Sequence, residues 1–442
     1  MLCVLRGSVF TLFSVGGDAL SPPRPTAQPG PCSVRPGYTM DALDNEECAV
    51  LGLALHLYSE ALLPEERLHW RDPLRLTDAR FWLQMKLWRR YARVDKWRSR
   101  LGCAPGTFML IVDEVRCDLA HDNTYNRSRS IPLEERIGIA LYKLHNGVTN
   151  EVLEDVFRVC ASNTAGKLTL ELVKALNKHK SKWITMPGAD ELAEIALAWE
   201  RRPGSRLTNC VLAIDGLHCP LASSDLGDEN FKHWSSMLSL AGVDHKYRLR
   251  YFLTGLPGSW SDLNALELSK LSEWLTKLED VGVRSIQGVA VPYYAVVDGI
   301  FPLRPSMMKP FDVPGTGALP PHEFWFNLWQ SSARMPVEQF NGQLKARFRI
   351  LFNTMFYDRE TAGDIALACG ILHNICKHCD EQDVQLSRKE QDELEEEIKR
   401  CRSIVDPRGP RLLNDAAALA EGEQIREAIL RDAASKHFPE HA

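Results

Sequence analysis

Residues 210–258 read CVLAIDGLHCPLASSDLGDENFKHWSSMLSLAGVDHKYRLRYFLTGLPG, and this stretch decides the fold class. Cys210–Ile214 is a continuous apolar run of strand length. Trp234–Val243 and Tyr247–Thr254 flank the short polar turn Asp244-His245-Lys246, the pattern of an antiparallel hairpin. Downstream, Gly255–Ser259 reads as a loop, Asp262–Leu275 has helical spacing and Tyr293–Val297 is a further buried strand. Residues 304–321 are rich in Pro and Gly and read as a loop. Pro336 suits a first helical turn, so the spacing predicts a helix continuing over Val337–Ile350. Strands and helices mixed in this way make an α/β core over residues 205–380.

Upstream, residues 41–204 carry helical patterns and form an all-α domain. Asp44 or Asn45 can cap Ala49–Leu63, and Pro132 with Glu134-Glu135 opens a helix over Arg136–Leu144. Gly147–His179 holds two helical stripes, Val152, Leu153, Val156 and Phe157 in the first and Leu168, Leu170, Leu172, Val173 and Leu176 in the second. Cys160-Ala161-Ser162 is the turn between them. Lys86–Arg100 is basic with Trp88, Tyr91 and Trp97 interleaved. That pattern suits a backbone-gripping helix or, as the favoured reading, an amphipathic helix whose aromatics are core. Residues 381–442 read as a charged helical tail, solvated to about Arg400 and loose beyond. Residues 1–40 read as a disordered leader, since 22–38 (PPRPTAQPGPCSVRPGY) are too rich in Pro and Gly to fold. The run Val9–Val15 contains Ser and Thr and ends in Gly16-Gly17, which argues against a secretory signal.

Composition sets outer bounds. The 442 residues are 45% hydrophobic and 25% charged, as in a globular protein, with a formal net charge of −5. Any nucleic-acid surface must therefore be a local basic patch. Twelve cysteines without regular spacing suit a reduced, intracellular chain. No stretch reaches the roughly 20 apolar residues that span a bilayer, so no membrane association is expected.

Four carboxylates stand out. Asp215 follows an apolar strand in AIDG, at its expected C-terminal end, where Gly216 lets the chain turn. Asp262 follows a Pro-Gly-Ser turn near a helix start, and Asp298 ends the strand YYAVVDG. Asp-Gly is also an ordinary turn dipeptide, so these strand ends alone leave a turn reading open. Glu338 lies at the shoulder of the stripe Val337, Phe340, Leu344, Phe348 and Leu351, near an expected helix N-terminus that favours a carboxylate. Lys345 and Arg349 share its face, as beside a phosphate backbone or on a plain Glu–Lys surface. Phosphodiester hydrolysis needs a nucleophilic water and a stabilised leaving oxygen, which two cations about 3.5–4 Å apart on hard oxygen ligands can supply.

The segments LAIDGLHCPL, GLPGSWSDLNAL, VVDGIFPL and VEQFNGQLKARFRIL resemble four successive motifs of the PIF/Harbinger transposase superfamily, which includes Harbinger transposase-derived nucleases. ILHN at Ile371–Asn374 is similar to that family's closing helix, and IPLEERIGIALYKL at 131–144 to the segment before its helix-turn-helix. The resemblance spans Ile131–Asn374. It implies an RNase H-like catalytic domain, a mixed sheet flanked by helices, preceded by an all-α domain with a helix-turn-helix-like segment at 147–179. It further implies that Asp215, Asp262 and Glu338 form a DDE triad, that Asp298 is a further metal contact, and that the cofactor is Mg²⁺ or Mn²⁺. The substrate implied is DNA, with Lys345, Arg347 and Arg349 positioning the strand and Lys167, Lys174 and Lys178 of the recognition-type helix meeting phosphates, while the same segment reads equally well as a helical hairpin packed on the catalytic core. A homo-oligomer on paired DNA ends, a separate Myb/SANT-like DNA-binding partner and a nuclear location, with the cytoplasm as second compartment, follow from the same resemblance. Gln339 and Asn341 depart from the family pattern.

Two other features have plainer readings. Cys369, His373, Cys376, His378 and Cys379 include a zinc-like spacing but interleave with core positions, which favours a buried helix. His218 and His245 flank the carboxylates without a Ser or Cys partner. The rival functions are a catalytically silent scaffold derived from a transposase, binding DNA or protein, and, with no motif behind it, a carboxylate-pair glycosidase.

Overall fold

The computed structural model describes residues 2–5, 8–11, 85, 94–119, 131–157, 162–222, 229–230, 234–313, 317, 319–381, 388 and 416–437. Most of the leader, the helix expected over Ala49–Leu63, the basic stretch before Val94, the segment Phe231–His233 and the charged run 389–400 lie outside the described residues. The chain divides into two units, Met1–Pro64 and Glu65–Ala442. In the first, strands β1 (Leu2–Leu5) and β2 (Ser8–Thr11) pair antiparallel.

The second unit opens with helices α1 (Val94–Leu101), α2 (Pro105–Leu119), α3 (Leu133–Asn146), α4 (Asn150–Phe157), α5 (Ser162–Lys178), α6 (Lys180–Trp183) and α7 (Ala189–Glu200). Trp97 of the basic stretch is buried edge-on against Phe108, and Arg98 pairs with Glu381, so the described end of that stretch is a core helix. Of the expected stripes, Leu153, Phe157, Leu168, Leu172, Val173 and Leu176 are buried, Val156 and Leu170 are half-buried and Val152 is 40% exposed.

A five-stranded mixed sheet follows. Strands β3 (Cys210–Pro220), β4 (Ser236–Val243) and β5 (Leu249–Pro257) form an antiparallel meander. Asp244 closes its second turn, accepting from the amides of Lys246 and Arg248 and from Arg250 Nε. Helices α8 (Asp262–Glu267) and α9 (Lys270–Leu278) replace the single helix expected over 262–275. The break falls at Ser269, whose hydroxyl accepts from Leu271 N and starts α9 afresh. A small hairpin, β6 (Arg284–Ile286) and β7 (Val289–Val291), precedes β8 (Tyr294–Val296). Strand β9 (Met307–Met308) lies inside the stretch expected to be loop and pairs parallel with β8.

The order β5-β4-β3-β8-β9 puts β3 at the centre, antiparallel to β4 and parallel to β8. Helices α10 (Pro321–Arg347), α11 (Arg359–His378) and α12 (Ala416–His437) complete the unit. A mixed sheet flanked by helices is compatible with an RNase H-like domain.

Helix α11 covers the edge strand β5, and its residues explain the fit. A β-carbon on Gly363 would stand 2.8 Å from Gly255 Cα, so a glycine here lets helix and strand backbones touch. Asn374 then acts as a side-chain strand partner: its Oδ1 accepts from Leu249 N at 2.9 Å and its Nδ2 donates to Leu249 O at 2.8 Å. Edge-strand groups that would otherwise recruit another chain are thus satisfied. Cys369, His373 and Cys376 are buried on the same helix, as the core reading of that cluster expects.

The tail beyond residue 400 was expected to be loose; α12 corrects this. Ile425, Ala428, Ile429, Leu430 and Ala433 recur at helical spacing and are buried, giving the segment an apolar face to pack. Among the described residues, no helix is long and apolar enough to cross a membrane.

Candidate active site

Strand β3 runs through Asp215 to Pro220 rather than ending at it, because β4 continues as its antiparallel partner with Asp215 opposite Ala241. What ends at this level is the parallel partner: β8 pairs with β3 only as far as Val296 opposite Ala213, and Asp298 follows two residues later. The two aspartates therefore stand where the parallel ladder opens. Gly216 is not a turn residue here. A β-carbon at this position would lie 1.9 Å from Asp262 Oδ1, so its missing side chain makes room for the Asp262 carboxylate. Asp262 is the first residue of α8, whose start is capped by the Ser261 hydroxyl accepting from Asn264 N.

Helix α10 supplies the remaining groups. It begins at Pro321, so Pro336 lies inside it and Glu338 sits mid-helix, away from the N-terminal dipole expected to favour it. Proline at 336 removes one backbone donor but leaves the helix continuous in this packed setting. Gln330 fastens the helix to the sheet, its Nε2 donating to Val297 O at 2.7 Å and Met308 O at 3.2 Å. One turn on, the Arg334 side chain, 8% exposed, lies 3.3 Å from Asp215, 3.3 Å from Asp298 and 3.6 Å from Glu338. Asn341 Nδ2 donates to Asp215 Oδ2 at 3.3 Å and to Gly216 O at 3.4 Å.

Residues 330, 334, 338 and 341 thus line up in a stripe along one side of the helix. Sequence reading missed Gln330 and Arg334, because starting the helix at Pro336 cut the stripe in half. It named Asn341 only as a departure from the family pattern. The signal was the i, i+4, i+8, i+11 spacing of polar residues between Phe326, Trp329, Ala333, Val337 and Phe340.

Crowding of acids shows in their titration. Burial, with Asp298 and Glu338 nearby and Arg334 opposing, raises the Asp215 carboxyl to about 6. Burial and the charges of Asp215 and Asp298 raise that of Asp262 to about 7. Raised carboxyl values mean that the folded state binds more protons than the unfolded one between about pH 4 and 7. Their contribution to stability is therefore present at acid pH and lost as pH rises through that window. With metals chelated, Asp262→Asn is expected to raise stability at pH 8 by up to about 4 kcal/mol and far less at pH 4. Urea unfolding at both pH values checks this; equal effects at the two would contradict it.

The other expected site residues fall into two groups. Lys167, Lys174 and Lys178 are exposed along α5, with Lys178 paired to Asp118 at 2.8 Å. Lys345 and Arg347 turn inward instead, at 7% and 3% exposure. Arg347 Nη1 donates to Gly102 O at 2.6 Å and its carbonyl meets His145 Nδ1, so it joins the helical region to α10 rather than facing a substrate. Arg349 lies over the Phe352 ring at 4.7 Å. His218 Nδ1 lies 3.0 Å from Ser236 Oγ, and His245 packs edge-on against Trp199. Among the described residues, no three His, Cys, Asp or Glu side chains stand close enough to hold a metal ion.

The DDE superfamily endonuclease family matches residues 214–374, a span that contains Asp215, Asp262, Asp298, Glu338 and the Asn374 clamp. Residues 214–374, about a third of the chain, are therefore similar to DDE superfamily endonucleases. Curated relatives include "Putative nuclease HARBI1" of Bos taurus and of Homo sapiens, each 27% identical over 255 residues, covering 56% of this chain and 68% of the relative. The Xenopus laevis protein of that name is 27% identical over 257 residues, covering 57% of this chain and 69% of its own. No solved structure matches the chain. The matched span begins at Ile214, so the helices α1–α7 precede it.

Proposed function

We propose that the DDE domain is a divalent-metal-dependent DNA endonuclease in which Asp215, Asp262 and Glu338 carry the reaction and Asp298 adds a fourth carboxylate. One observation supports this above the rest: Asp215, Asp298 and Glu338 lie 3.3, 3.3 and 3.6 Å from the single guanidinium of Arg334, and Asp262 fills the space over Gly216 beside them. Their oxygen donors are the kind Mg²⁺ and Mn²⁺ prefer, and the cleft kept open by Gly216 admits Asp262 beside Asp215. Such ions would supply an activated water and charge at the leaving oxygen.

The chain's own part is positional. Asn341 fixes the rotamer of Asp215, and Gln330 sets the height of α10 against the sheet. The exposed lysines of α5, in a helix-turn-helix-like pair with α4, would meet phosphates, and Arg349 is the cation beside α10 best placed to join them. Strand transfer, a homo-oligomer on paired DNA ends, a Myb/SANT-like partner and a nuclear location, with the cytoplasm as the second compartment, belong to the same proposal.

The scaffold reading has one observation in its favour, a guanidinium already neutralising the carboxylates. Purified protein incubated with supercoiled DNA separates the two. Nicking that appears with Mg²⁺ or Mn²⁺, stops with a chelator and returns on adding metal is the expected result. DNA binding without metal-dependent nicking would replace the endonuclease by the scaffold.

A further inference from the structure

Arg334 stands where the proposed function needs cations. Its guanidinium faces Asp215, Asp298 and Glu338 at 3.3, 3.3 and 3.6 Å. Charge-assisted N–H···O bonds are normally about 2.7–2.9 Å, so none of these contacts is a tight fork. The Arg334 Nε is buried and makes no hydrogen bond among the described residues. A buried donor left this way carries its full desolvation penalty, which movement into water would recover. The side chain is enclosed, charged and incompletely bonded, an arrangement that suits a displaceable counter-ion better than a fixed strut.

We propose that Arg334 is the resident counter-ion of the carboxylate cluster, holding the acids together in the metal-free protein and withdrawing from them when they take divalent cations. Metal loading and the position of Arg334 are then two sides of one equilibrium. The absence of a preformed metal-binding group among the described residues follows directly, since the carboxylates are spread around a guanidinium. In the loaded state the freed side chain remains on α10 one turn from Glu338, within reach of a bound phosphodiester. This inference rests on the metal-dependent reading of the site.

The two can fail separately. Mn²⁺ alone is titrated by calorimetry into the full chain at pH 8, for wild type, Arg334→Met and Arg334→Lys. Methionine keeps much of the volume without the charge, so the expected result is affinity about tenfold or more above wild type, with lysine close to wild type. Equal or weaker Mn²⁺ binding by Arg334→Met would show that the guanidinium organises the site rather than competing for it, and would overturn the proposal while leaving the endonuclease intact. No Mn²⁺ binding by any of the three proteins would remove the metal reading itself. If Arg334→Met does not fold, wild type decides: the Arg334 Nε–H resonance must shift in step with Mg²⁺ binding. A resonance that stays put while Mg²⁺ binds overturns the proposal.

Discussion

Asp215→Asn is expected to abolish metal-dependent nicking, by about a thousandfold or more, while leaving the protein folded. The size follows from its position. Asp215 is the one carboxylate in contact with both Arg334 and Asn341, and it lies on the central strand beside the room that Gly216 leaves for Asp262. Losing its charge removes a ligand from the middle of the cluster rather than from its rim. Folding should survive because asparagine has the same shape and β3 is held on both sides, by β4 and β8. Relief of repulsion with Asp298 and Glu338 works in the same direction. Nicking of supercoiled DNA with Mg²⁺, beside circular dichroism of the same preparation, measures both halves. Activity within tenfold of wild type would take Asp215 out of the mechanism.

The legible part of this protein was its apolar patterning. Cys210–Ile214, the hairpin around Asp244 and the strand before Asp298 were readable because buried strands need continuous apolar runs, and their spacing placed Asp215 and Asp298 at strand ends and Asp262 near a helix start. Other features depended on contacts between distant segments. Gly216 looked like a turn residue; only the approach of α8 reveals that it makes space. Pro336 looked like a helix start, since proline is favoured there, and tertiary packing overrode that preference in α10. The cost was Arg334, the residue that binds the site together, hidden one turn upstream of the expected helix. Arg347 was misplaced for the opposite reason: a cation in a basic run suggests a surface, yet its partner is the carbonyl of Gly102, 245 residues away in sequence. Charge alone does not say which way a long side chain turns.

Gly216→Ala tests the geometry without touching a charged group. The added methyl would meet Asp262 Oδ1 at 1.9 Å and Cγ at 2.4 Å, both far inside van der Waals contact. The residue is not in the left-handed region, so alanine fits the strand backbone and the strain falls on the neighbour. Asp262 can rotate or α8 can shift, and either moves the carboxylate by about an ångström from Asp215, a displacement of the order that costs about a hundredfold in rate. The expected result is nicking reduced about a hundredfold with only a modest fall in the urea midpoint. Gly106→Ala, where a β-carbon meets nothing within 4 Å, serves as the matched control and should leave nicking unchanged. Wild-type nicking by Gly216→Ala would mean that Asp262 does its work from somewhere other than the space beside Gly216, or does none.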